Sequence, residues 1–361
     1  MLRSVVAVLV ALPLLATSGP GAAETSDGPR ARPTTRIELT DLPVGPPPVS
    51  LYAAGNVIHD GDRAVAVRLT RPLRLLGRVV GGYAVQTIGS SGFYGKLYRV
   101  DPATGEATKI GRSSDLYREP RIMGRGRYLA YGTCCAPPTV TVRSVETGRV
   151  VAKKVFPGYA ELVDAAGSRV MVAAEDPDRG VYWAPFRDRV GVFVERAVFP
   201  LSADAKHGLA YVAPPTGGDT PCAELIRTTR PERPLWRGCG VAVVAFSPDA
   251  RTVVSVPFDG FNGAKGLSSI EIRRVRDGTL LHAYDGVEIN PLHYDGEDHL
   301  VFVAHTKGST AVVRCDLTGS CERVSEIVAE PRYERYGLDW TFPADREGWA
   351  HYDESFYYDD Y

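Results

Sequence analysis

Between His293 and His299 the chain sets two imidazoles and three carboxylates, those of Asp295, Glu297 and Asp298, within seven residues. Such donors hold a divalent cation when several converge on one point, and a carboxylate beside an imidazole can serve acid–base catalysis. The same stretch, Tyr294-Asp-Gly-Glu-Asp-His, also reads as a polar turn between strands, where Asp and Gly serve backbone geometry. The turn is the preferred reading, and no metal is expected. His59-Asp60-Gly61-Asp62 is read as a turn for the same reason. Acidic stretches at 175–178 and around Asp259 could offer oxygens to calcium, but neither has EF-hand spacing, so surface solvation is preferred. No cofactor is predicted. The sequence has no G-x-S-x-G elbow, no H-E-x-x-H pair and no phosphate-binding loop, and Gly89-Ser-Ser-Gly92 has the wrong register for the elbow.

The second chemistry is that of the six cysteines. Their redox state depends on the compartment, which the N-terminus addresses. One basic residue, Arg3, is followed by an apolar stretch from Val5 to Ala16 and a small-residue segment ending at Ala23, the build of a Sec signal peptide. That stretch, interrupted by Pro13, falls short of the about 20 residues a membrane span needs. Residues 1–23 are therefore read as a signal peptide, the mature chain as extracellular or in the cell envelope, and the cysteines as disulfide candidates. Cys315 and Cys321 flank the turn Asp-Leu-Thr-Gly-Ser, so they should face each other across a hairpin. Cys222 and Cys239 lie at the ends of a strand pair turning at Pro231-Glu-Arg-Pro and form the natural second pair. Cys134 and Cys135 are left with each other, either as a vicinal bridge or as two buried thiols. No cysteine pair has zinc-ligand spacing.

Positioning any of these groups falls to short strands. The 361 residues include 37 Gly and 27 Pro, a turn-rich composition, and the net charge of −1 gives no field for nucleic acid. Past a Pro-rich leader at 24–48, apolar runs alternate with turns, and no stretch keeps a helical apolar face. Two signatures recur. The first is a strand, a turn with glycine and another strand, around Gly105, Gly148, Gly278 and Gly319, at intervals of 43, 130 and 41 residues. Because 130 is close to three times 43, degenerate copies are expected between, and Phe186-Arg-Asp-Arg-Val and Arg230-Pro-Glu-Arg-Pro fall near those places. The second is a polar turn feeding an apolar strand, beginning at Gly81, Gly126, Gly167, His207, Asp249 and Glu297. The two signatures interleave six times, over about 73–328. A unit of this length holds about four strands, the size of a propeller blade.

Ala245-Phe-Ser-Pro-Asp-Ala-Arg resembles a blade turn of TolB-type and WD-repeat-like propellers, with Ala250 in place of the family's glycine. Val100-Asp-Pro-Ala-Thr-Gly-Glu is similar to the blade turn of YVTN- and PQQ-type propellers. The resemblance implies an all-β propeller scaffold, often a binding one. A piece at 49–69 is too short for a blade, so it is expected to pair with C-terminal strand material and close the ring. The expected fold is thus an all-β propeller over 49–340 with seven blades, six regular and one composite; six blades is the alternative.

The last segment, 341–361, is acidic and aromatic: from Asp345 to the end six acids face one Arg, and docking onto the propeller is the expected fate. The functional expectation is an exported, monomeric binding module with no membrane span. Its ligand, a protein, small molecule or glycan, would sit where loops of several blades converge near the channel. The alternative is a propeller-type hydrolase or lyase with its site assembled at the channel mouth from several blades.

Overall fold

Strands buried on both faces read as unbroken apolar runs rather than as an alternation. Val241–Phe246 is buried at every residue, as are 252–256 and 300–304. By contrast Val150–Val155 is largely exposed and carries two lysines, as an outermost strand should. The computed structural model describes residues 33–87, 95–113, 120–133, 137–158, 160–174, 179–187, 189–194, 199–213, 222–257, 267–296, 298–329 and 340–341. The chain divides into two units, Met1–Ala31 and Arg32–Tyr361, and all described residues belong to the second. Residues 1–23, read as a signal peptide, the stretch 175–178, Asp259, Glu297, Cys134, Cys135 and the tail from 342 lie outside the described residues.

All regular structure among the described residues is β. After β1 (Thr34–Arg36), a meander of β2 (Tyr52–Ala54), β3 (Val57–Asp60) and β4 (Arg63–Ala66) begins the first sheet. The next sheet is β5 (Leu73–Val79), β6 (Gly82–Thr87), β7 (Gly95–Val100) and β8 (Ala107–Ser113). It is followed by β9 (Arg121–Met123), β10 (Tyr128–Thr133), β11 (Thr139–Ser144) and β12 (Val150–Val155). Then come β13 (Ala160–Ala166), β14 (Arg169–Ala174), β15 (Arg179–Ala184) and β16 (Arg189–Val194). The fifth sheet is β17 (Phe199–Asp204), β18 (Leu209–Ala213), β19 (Cys222–Arg227) and β20 (Trp236–Cys239).

A nine-stranded sheet follows, from β21 (Val241–Phe246), β22 (Thr252–Pro257) and β23 (Leu267–Arg274) through the long β24 (Leu280–Tyr294) to β25 (His299–Thr306), β26 (Ser309–Asp316) and β27 (Cys321–Arg323). The first part of β24 pairs with β23 and its last part with β25, so one strand ends a four-stranded unit and begins the next. β28 (Val328–Ala329) pairs with β26 and β1 with β24. Finally β29 (Trp340–Thr341) returns to pair with β2, completing the first sheet as β29-β2-β3-β4. The chain is a β-propeller. Its repeating units start at Leu73 and end at Arg323, matching the periodicity in the sequence.

Adjacent sheets pack through apolar layers. Leu51, Ile58 and Val65 meet Leu75, Tyr83 and Val85 on one side of the composite sheet, and Tyr52 meets Val301, Val303 and Val312 on the other. The composite sheet therefore packs against both the second sheet and the last, which closes the ring. In five first strands the register slips beside one residue or two: at Leu76, Val163, Leu201, Val244 and the pair Asn290-Pro291. Such bulges add local twist. First strands neighbour one another around the ring, where twist must turn each sheet away from its neighbour.

The glycines of the first signature have two reasons to be glycine. Gly105 takes φ +69°, and a Cβ there would lie 1.9 Å from the carbonyl oxygen of Ala66 in the preceding sheet. Gly278, at φ +71°, abuts the indole of Trp236 in the same way, 2.8 Å from a would-be Cβ. No side chain fits either place.

Part of the Pro-rich leader is built into the fold. Residues 34–36 add to β24 as a parallel strand, Ile37 and Leu39 are buried, and Val44 bridges Arg323 on β27. This corrects the expectation that 24–48 merely precedes the folded part; its prolines and polar residues hide the short alternation of Ile37 and Leu39. The cysteines Cys222 and Cys239 are bonded and directly opposite on β19 and β20, and Cys315 and Cys321 are bonded on β26 and β27. Both bridges staple the outer two strands of a unit, and loops this short contribute roughly 2 to 3 kcal/mol each on the chain-entropy account.

Candidate functional site

The cluster from His293 to His299 forms the turn between β24 and β25. The Asp295 N–H donates to the His299 carbonyl at 2.9 Å, and the Leu317 N–H donates to the Asp298 carbonyl at 3.2 Å. His293 lies opposite Val301 and His299 opposite Asp316, so the imidazoles are spread along two strands. The equivalent turn after β21 is closed by Ser247 N–H to the Thr252 carbonyl at 2.9 Å, with Ala250 at φ +57°, a left-handed conformation that favours glycine. Among the described residues no three His, Cys, Asp or Glu are grouped to hold a metal.

Asp295 has a different task. Its carboxylate, 2% exposed, accepts hydrogen bonds from the backbone N–H of Ser50 at 2.6 Å and of Val49 at 3.3 Å, and from Arg314 Nη1 at 3.4 Å. Arg314 is also paired with Glu322. Asp295 thus ties the last unit to the segment leading into β2. Its counterpart is Asp164, whose carboxylate accepts from the Ala205 N–H of the next sheet at 2.7 Å.

Similar ties join the other first-to-second-strand turns: Val80 N–H to the Gly126 carbonyl at 2.9 Å, Gly124 N–H to the Gly167 carbonyl at 2.8 Å, and Lys206 Nζ to the Pro248 carbonyl at 3.3 Å. His59-Asp60-Gly61-Asp62 is a turn at this end too, and Asp60 is bonded to Arg78 and, at 2.9 Å, to the Tyr83 hydroxyl. The Arg78 hydrogen bond holds the Asp60 carboxyl below its usual range. The described turns of both sequence signatures lie here, and the bonds between them tie this end of the ring sheet to sheet.

The opposite end is where first strands begin and where the described β25–β26 turn, Lys307-Gly308, lies. Its most unusual described residue is Arg121, the first residue of β9. It is 7% exposed, and its Nε and Nη1 are buried without an acceptor among the described residues. Arg121 pairs with Ala130 and shares a strand face with Met123, and both of those belong to the apolar layer against the next sheet. Sequence reasoning missed Arg121, which stands in no motif; its only signal is a charge two residues from a buried Met in a short strand.

Burial holds two imidazoles below their ordinary pKa. His59 stacks on Tyr52 with ring centroids 4.5 Å apart, and desolvation lowers it. His282, 6% exposed, is lowered by the same cause. The single proton of the Thr35 hydroxyl goes to the Gly319 carbonyl at 2.9 Å, so the 2.9 Å contact to His282 is donated by its Nε2–H. A base with a depressed folded pKa binds more protons unfolded, so this stability is present above the unfolded value near about 6.5 and is lost as pH falls below it. Tm should therefore drop between about pH 6.5 and 5 before the carboxylates titrate, and His282→Gln should flatten that drop. A Tm constant over this window in the parent protein would refute the assignment.

No protein-family model matches the sequence, and no curated protein matches it significantly. Solved structures do resemble the fold. A chain in the crystal structure of a mitotic checkpoint complex superposes with a TM-score of 0.50 at 11% identity, covering 81% of this chain and 88% of that one. The β-propeller domain of Myceliophteria thermophila Cps50 (Swd1) gives the same TM-score and identity over 74% of this chain and 89% of that one. The likeness shows a WD-repeat-like β-propeller fold. Among the described residues no helix is long and apolar enough to cross a membrane.

Proposed function

We propose that this chain is an exported, monomeric interaction module, a propeller of seven blades, six regular and one composed of β29 with β2, β3 and β4. It binds its partner at the end of the ring opposite the tied turns. The carrying observation is the asymmetry of the two ends. At one, short turns satisfy each other sheet to sheet, from Val80 with Gly126 round to Ser50 with Asp295. At the other, consecutive strand ends stand farther apart in the sequence than a tight turn needs, Thr87 from Gly95, Ala213 from Cys222 and Pro257 from Leu267. Variable segments on a rigid scaffold are where recognition is usually built. The two disulfide bridges accord with an oxidising compartment.

The test places a photo-crosslinking amino acid at Lys307, in the β25–β26 turn of the proposed face, or at Thr104, in a turn of the tied end, in the producing cell. A discrete crosslinked product is expected from Lys307 and none from Thr104, with the mature N-terminus at Glu24 outside the cytoplasm. Equal crosslinking from both, or an uncleaved chain kept in the cytoplasm, would overturn the reading.

A further inference from the structure

The protein satisfies its other inward-facing guanidinium groups with care. Arg273 donates to Glu271 at 2.6 Å, to the Gly278 carbonyl at 3.0 Å and to the Ser255 hydroxyl at 3.2 Å. Arg143 donates to the Tyr131 hydroxyl at 3.1 Å and to the Gly148 carbonyl, and Arg314 is shared between Glu322 and Asp295. Arg121 is at least as deeply buried, yet its Nε and Nη1 meet no acceptor among the described residues. Among the described residues its surroundings are apolar: Ala130 stands opposite, and Met123, Ala160 and Ala174 belong to the same layer, with Ala160 opening the next first strand at the same end. A guanidinium does not escape burial by deprotonating, and a buried charge is tolerated when an opposite charge meets it.

We propose that Arg121 is the receptor for a small oxyanion, a carboxylate or a phosphate, held between the β9–β12 and β13–β16 sheets at the untied end of the ring. Oxyanions suit the planar, multiply donating guanidinium, whose charge-assisted bonds strengthen once water is excluded. The apolar walls provide that exclusion. Ala130, opposite Arg121, carries the smallest apolar side chain, so the charge and not shape sets the preference. The inference stands on the buried charge alone and does not depend on which end of the ring meets a partner.

The experiment is thermal melting of the full-length mature protein in chloride-only buffer, with sodium acetate or inorganic phosphate titrated against chloride of matched ionic strength. A ligand at about a hundred times its Kd should raise Tm by about 4 °C for a chain of this size. Arg121→Met should lose this response while keeping a Tm equal to or above the parent in chloride, because it removes a buried charge. Response to acetate, to phosphate or to both names the source. A parent Tm no higher in either anion than in chloride, or an equal rise in Arg121→Met, would overturn the proposal. If Arg121→Met does not fold, calorimetric titration of the parent protein decides: one anion bound per chain supports the site, and no saturable binding refutes it.

Discussion

Truncation after residue 339, which removes β29, should lower Tm by roughly 4 to 7 °C more than truncation after Thr341, which keeps it. β29 is short, but it pairs Thr341 with Ala53 and Trp340 with Ala54 and is the first strand of the composite sheet. Without it, β2 becomes an unpaired edge, and the apolar contacts of Tyr52 and Ala53 on the neighbouring sheets open to water. Two ladder bonds and a partly re-exposed layer amount to about 3 to 5 kcal/mol. The pair of truncations separates the closing strand from the acidic-aromatic tail beyond it. If both melt with the parent, the ring is not closed by this strand; if both fall equally, the tail holds the closure. Differential scanning calorimetry resolves the difference.

Asp295→Ala should cost about 2 to 4 kcal/mol, measured as a shift of the urea midpoint at unchanged slope. The substitution removes the acceptor of two backbone N–H groups, at Val49 and Ser50, and one of the acid partners of Arg314, whose side chain is 11% exposed. Buried donors left unpaired carry their full desolvation penalty, and a half-paired buried guanidinium adds to it. His299→Ala, at an exposed position in the same turn, should change stability by no more than about 0.5 kcal/mol. This contrast discriminates a structural tie from a metal site. A cation held by the cluster would make both variants sensitive, and chelation would then mimic them. A chelator is expected to leave the parent midpoint unchanged.

How legible each of these features is in the sequence follows from what a short segment can encode. Asp295 reads as a turn residue, and the turn is there. That its carboxylate reaches back to residues 49 and 50 is invisible in the sequence, because the two segments are some 245 positions apart. The bulges beside Leu76, Val163, Leu201 and Val244 recur as regularly as the glycine turns, yet they leave no mark. A bulge in an apolar strand uses ordinary apolar residues, while a turn with positive φ and a close neighbour demands glycine.

The sequence alone determined the glycine turns, the two cysteine pairs and the repeat itself. Gly105, Gly148, Gly278 and Gly319 are dictated by local backbone conformation, and the cysteine pairs by hairpin register, and both act over a few residues. Tertiary structure decided the rest. Closure by β29, the addition of residues 34–36 to β24 and the burial of Arg121 against the next sheet each depend on segments distant in the chain meeting in space. The physical reason is one of range: steric and hydrogen-bonding demands within a turn select residue types directly. Contacts between sheets are made by generic apolar side chains, whose partners are chosen by the packing of the whole ring.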